Sequence, residues 1–103
     1  MKIERRRDTL VAYLTGELDH CSAQSIRREL DALLADHGVK RLILDMKDMS
    51  FMDSSGIAVV INTLRNMSKL EGSLVLQGLG NQPMKVFRTS GIDKLVEIKE
   101  AVS

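Results

Sequence analysis

Cysteine is all but absent from this sequence: Cys21 stands alone, so no disulfide can close within the chain and no cysteine cluster can hold a metal. Aromatic residues are nearly as scarce. Tyr13, Phe51 and Phe87 are the whole set, which leaves the core to leucine, isoleucine, valine and methionine. An excess of either charge is also missing. Fifteen basic residues against fourteen acidic ones leave a formal charge of +1, which gives no field that favours nucleic acid or an anionic membrane. No apolar run approaches the ~20 residues of a membrane span, and no signal peptide opens the chain. Repeats, low-complexity tracts and Pro/Gly linkers are lacking, so one domain over residues 1–103 is expected. A chain this long can bury a core without metal or disulfide staples. The expectation is a free-standing cytoplasmic domain with no cofactor and no metal.

What is there reads as alternating strands and helices. Lys2 to Arg7 is polar and β-compatible, and Leu10 to Thr15 is a strand with Leu10, Ala12 and Leu14 on one face. Asp8-Thr9 suits the hairpin turn between them. Arg5-Arg6-Arg7 reads as charge that keeps an edge strand soluble. Gly16 to His20 breaks the strand, and Ser22 then caps a helix with Ile26, Leu30, Leu33 and Leu34 on one stripe, ended by His37-Gly38. Val39 and Leu42-Ile43-Leu44 form a buried strand. A loop from Lys47 to Met52 comes next, with Asp53 capping a second helix. Its stripe is Ile57, Val60, Ile61, Leu64 and Met67, closing at Gly72. Ser73 to Gln77 is a strand, and Asn81 caps a short helix with Pro83 in its first turn. Val86 and Phe87 are its core contacts, and Gly91 stops it. Leu95 to Ile98 is a last strand before a fraying tail. The order β-β-α-β-α-β-α-β predicts an α/β fold whose mixed, mostly parallel sheet has right-handed crossovers.

Chemistry concentrates in Met49-Ser50-Phe51-Met52-Asp53-Ser54-Ser55-Gly56, which leads from a central strand into a helix. Ligands of open α/β sheets bind near such strand ends. A helix N-terminus offers unpaired N–H groups and the positive end of its dipole, so it accepts negative charge. A phosphate on Ser54 or Ser55 would be accommodated there, and the argument does not choose between them. On those four last residues alone, a plain helix cap is the better reading.

A second segment shifts the balance. Leu14-Thr15-Gly16-Glu17-Leu18-Asp19-His20, together with Ser50 to Gly56 at this spacing, resembles the anti-sigma factor antagonist family, whose domain is called STAS. The resemblance runs from about Leu10 to about Ile98, with its nearest likeness among sporulation members. It implies a phosphorylation-switched antagonist that binds an anti-sigma factor, itself a serine kinase, when unphosphorylated and so releases a sigma factor. Ser54 is then the phosphorylated residue, Ser55 and Gly56 shape the turn, and Asp19 and Asp53 flank the hydroxyl. A serine phosphatase completes the cycle, and the free protein is expected to be monomeric.

Three other readings carry less. A serine hydrolase would need His20 or His37 as base, yet no G-x-S-x-G elbow is present, and no catalytic role is expected. Gly78-Leu79-Gly80 lacks a Walker lysine and reads as a tight strand-to-helix loop, with nucleotide binding kept as a secondary property. A STAS module of a stress-response or lipid-trafficking complex keeps the fold and changes the partner. Cys21 reads as a buried or incidental thiol. Of the methionines, Met46 is expected in the core, with at least one of Met49 and Met52 exposed beside Ser54.

Overall fold

Leu10, Ala12 and Leu14 alternate with Val11, Tyr13 and Thr15, and the first three turn into the core at 4% exposure or less. The structure is a computed structural model that describes residues 1–35 and 38–100. Among these, β1 (Lys2–Arg6), β2 (Thr9–Leu18), β3 (Arg41–Met52), β4 (Ser73–Gln77) and β5 (Glu97–Lys99) form one sheet in chain order. β1 runs antiparallel to β2, and every other pair is parallel. Helices α1 (His20–Leu34), α2 (Ser54–Lys69) and α3 (Asn81–Ser90) make the crossovers. Each crossover steps one strand in the same direction. With the same right hand, all three helices therefore land on one face of the sheet. Leu42, Leu44, Leu74 and Leu76 point into that layer, against Leu30, Val60, Met67 and Phe87. The α/β fold and element order match the expectation.

Several boundaries do not. Arg6 already pairs with Thr9, so the hairpin turn is Arg7-Asp8, one residue earlier than expected, with Arg7 at φ 55°. The strand does not break at Gly16. β2 continues to Leu18, and Lys47 to Met52, expected as a loop, is the second half of β3. The reason is a pair of β-bulges. Tyr13 pairs with Asp45 but Thr15 with Asp48, and Gly16 pairs with Met49 but Glu17 with Phe51. Each shift adds one residue to β3 and re-aims the side chains beyond it. Buried Met46, Met49 and Met52 consequently fall three apart where an unbroken strand would place them at spacing two.

The helix faces are also partly different. On α2 the buried residues are Gly56, Val59, Val60, Thr63 and Met67. Ile57, Ile61 and Leu64 are only half-buried, flanking the core. Thr63 can be buried because its hydroxyl donates to the Val59 carbonyl at 2.8 Å. In α3 the cap is Gly80, Asn81 is the first helical residue, and Phe87 and Pro83 are buried, with Val86 half-buried. Gly91 ends α3 at φ 83° as expected, but a 3₁₀ turn (Ile92–Lys94) comes next. That turn buries Ile92 and Val96, leaves Leu95 63% exposed, and delays β5 to Glu97. His37, expected in the first helix stop, and the tail at 101–103 lie outside the described residues.

Candidate functional site

Leu18 and Met52 stand side by side at the end of the β2–β3 ladder, and the Asp53 N–H donates to the Leu18 carbonyl at 3.2 Å. The next residues, Asp19 and Asp53, are therefore neighbours at the same end of the sheet, and each caps a helix. Asp19 closes a capping box with Ser22. Its Oδ1 accepts the Ser22 N–H at 3.0 Å, and the Asp19 N–H returns a bond to Ser22 Oγ at 3.1 Å. Asp19 is thus the cap, and Ser22, expected in that role, is the third helical residue. The Ser22 bond, chiefly from the backbone N–H, holds the Asp19 carboxyl below the usual carboxylate range.

Asp53 caps α2 as expected, with its Oδ1 accepting the Ser55 N–H at 2.7 Å. Ser54 is exposed, Ser55 is half-buried and Gly56 is buried against the sheet. The two serines, equivalent to the helix dipole, differ in access. Ser54 also stands at the edge of a groove of about 590 Å³ between α2 and α3, lined by Ile57 and Val86 and edged by Gln82, Lys85 and Thr89.

Met49 and Met52 are both buried, at 5% and 0% exposure, so the expectation that one of them is exposed fails. The second bulge turns Phe51 outward instead, 42% exposed. Ser50 Oγ ties this stretch down by donating to the Gly16 carbonyl at 3.1 Å. Cys21 is exposed. Among the described residues no hydrogen bond joins His20 to either serine, and no group of side chains is arranged to hold a metal ion.

Sequence reasoning missed Gln82. Its side-chain amide is bonded twice to the main chain of Met52, the residue before Asp53. The partners lie 30 positions apart, and no local pattern marks the residue. A weaker hint was present for Phe51, an aromatic residue beside the serines in a chain nearly devoid of aromatics.

Known proteins share this fold. The STAS domain family matches residues 1–103. The Anti-sigma F factor antagonist of Lysinibacillus sphaericus is 35% identical over 86 residues, covering 84% of this chain and 74% of the relative. The solved structure of the anti-sigma factor antagonist SpoIIAA in its unphosphorylated form superposes with a TM-score of 0.86 at 30% identity, over 99% of this chain and 88% of that one. The Bacillus cell fate determinant SpoIIAA in its phosphorylated form gives 0.78 at 30% identity, over 99% and 91%. Among the described residues, no helix is long and apolar enough to cross a membrane.

Proposed function

The chain belongs to the STAS domain family, and from that premise we propose that it is an anti-sigma factor antagonist switched by phosphorylation of Ser54. It is a regulatory binding domain and not an enzyme. Unphosphorylated, it binds an anti-sigma factor that is also a serine kinase, and a sigma factor is released. Phosphorylated, it lets go, until a serine phosphatase resets it. Asp19, Asp53, Ser55 and Gly56 build the turn that presents the hydroxyl. The domain acts as a cytoplasmic monomer in sporulation, as one module from 1 to 103, and its partners include neither nucleic acid nor membrane.

One observation carries the choice of serine. Ser54 is exposed at the first position of α2, whereas Ser55 is half-buried with its N–H taken by Asp53. A kinase must surround the attacking hydroxyl, and only an exposed one can be surrounded. The helix N-terminus then accommodates the added charge of about −1.5 to −2 without unfolding the turn.

The test begins with affinity capture of the chain from its native cell, and then intact-mass measurement of bound and unbound pools. Incubation with the captured kinase and ATP should add one phosphate, and Ser54→Ala should abolish the gain. Phosphate on Ser55, or uptake by the Ser54→Ala protein, would refute the assignment.

A further inference from the structure

β3 outruns its neighbour. The β3–β4 ladder ends at Asp45 and Gln77, because β4 is only five residues long, while β3 continues to Met52. Over that second half, β2 still pairs with one edge of β3, down to Leu18 beside Met52. Among the described residues, no strand pairs with the other edge. Main-chain groups in a parallel strand point alternately to the two sides. The Asp53 N–H points to β2, where it meets the Leu18 carbonyl, so the N–H and carbonyl of Met52 point to the strandless side.

Gln82, the second residue of α3, takes up both. The Met52 N–H donates to Gln82 Oε1 at 2.8 Å, and Gln82 Nε2 donates to the Met52 carbonyl at 2.6 Å. A primary amide carries the same donor and acceptor pair as a peptide unit, so this side chain stands in for the missing strand. Two bonds at such lengths fix direction as well as position. The clamped residue is two positions before Ser54, and Gln82 and Ser54 border the same α2/α3 groove.

We propose that Gln82 is the positioning residue of the switch turn: its amide sets the direction in which the chain leaves β3 and so the placement of Ser54. The consequence for phosphorylation rests on the function proposed above, whereas the clamp itself does not. α3 and the turn behave as one body, and a partner seated in the groove touches the hydroxyl and its clamp together. Losing the clamp leaves the core of the sheet intact, since none of the groups involved belongs to the β2–β3–β4 ladder over Leu42 to Asp45.

Two substitutions separate positioning from mere structure. Gln82→Ala removes both bonds. Gln82→Glu, when ionised, sets an oxygen in place of Nε2 against the Met52 carbonyl, and that repulsion drives the carboxylate out to water, so the bond from the Met52 N–H is lost with it. Protonated, the carboxyl again offers one donor and one acceptor, so the clamp should close again below the ordinary glutamate pKa of about 4.3. Amide hydrogen exchange monitored by NMR reads this directly, each variant compared with the parent at the same pH. At neutral pH the Met52 amide should exchange at least about tenfold faster in both variants, with Leu44 and Leu76 unchanged. At about pH 4 only Gln82→Glu should regain protection. With the captured kinase, phosphate uptake at Ser54 should fall about tenfold or more in kcat for Gln82→Ala, the scale expected of a misplaced reacting group. Unchanged Met52 protection in Gln82→Ala would overturn the clamp. Loss of Met52 protection with undiminished phosphorylation would overturn its role in placing Ser54. A parent chain that takes no phosphate counts against the function proposed above, and the exchange data then decide the clamp by themselves.

Discussion

Gly56 lies against Met52 with no room for a methyl group: a Cβ on Gly56 would stand 2.6 Å from Met52 Cγ and 2.7 Å from Sδ, with Leu18 Cδ2 at 3.1 Å. Both neighbours are 0% exposed, so neither side chain can swing into solvent. The turn that opens α2 thus packs on the residue that Gln82 holds by its main chain.

Gly56→Ala sets two effects against each other. Alanine favours a helix by up to about 1 kcal/mol over glycine, and overpacking a filled core costs about 1–3 kcal/mol. Overpacking should win, because the contacts lie well inside van der Waals distance. Urea unfolding should show Gly56→Ala to be less stable than the parent. Combining it with Met52→Ala should recover more than about 1 kcal/mol relative to additivity, since the methyl then enters the vacated space. Additive losses would mean that the two residues do not meet.

On α2, Val60 belongs to both the expected and the observed buried face, whereas Ile61 belongs to the expected one alone. Val60 is 1% exposed, whereas Ile61 is half-buried beside the core. An aspartate at Val60 is an unpaired buried charge and should abolish cooperative folding. Ile61→Asp should leave a folded but weaker protein, with its carboxylate reaching water. Circular dichroism melts distinguish these outcomes, and a well-folded Val60→Asp protein would contradict the face assignment.

The regular parts of this molecule were legible because periodicity reports burial. Leu10, Ala12 and Leu14 announce a strand at spacing two, and Gly91 ends a helix where only glycine adopts φ 83° at no cost. Asp53 was recognisable as a cap from its type and place. The second half of β3 was not legible, because two bulges turn its burial period from two to three and mimic a loop. Thr63 was passed over because its hydroxyl is satisfied within its own helix, which a polarity pattern does not reveal. Asp19 was placed near the serine by family resemblance, and its capping box, visible only in three dimensions, explains why it is there. Gln82 depends on a contact across 30 residues and on a short strand ending early.

Asp19 also gives a pH dependence with a defined sign. Its folded-state pKa is depressed, chiefly by the Ser22 N–H, so its contribution is present above the unfolded value of about 3.9 and is lost as pH falls through the folded pKa. Asp19→Ala should therefore be less stable than the parent at pH 7, and the gap should narrow below pH ~4. Urea midpoints measured from pH 7 to pH 2.5 test this, and a gap that widened on acidification would reverse the argument.

A phosphate on Ser54 should block an interface and leave the fold unchanged. Ser54 is exposed on a capped helix whose turn is held by Asp53 and Gln82, so the phosphate has no internal contact to break. In the free protein the α2 N-terminus and water share the dianion. In a complex it must lose that water against a surface fitted to a neutral hydroxyl. An imperfectly paired buried charge costs several kcal/mol, and each ~1.4 kcal/mol is about tenfold in affinity. The phosphorylated protein should therefore bind its anti-sigma partner at least about a hundredfold more weakly than the unphosphorylated form. Ser54→Asp, with one charge and a shorter reach, should give an intermediate to near-complete block. Calorimetric titration of the three forms measures this, with circular dichroism as the control for folding. Equal affinities would sink the interface block, and a large spectral change on phosphorylation would replace it with an order–disorder switch.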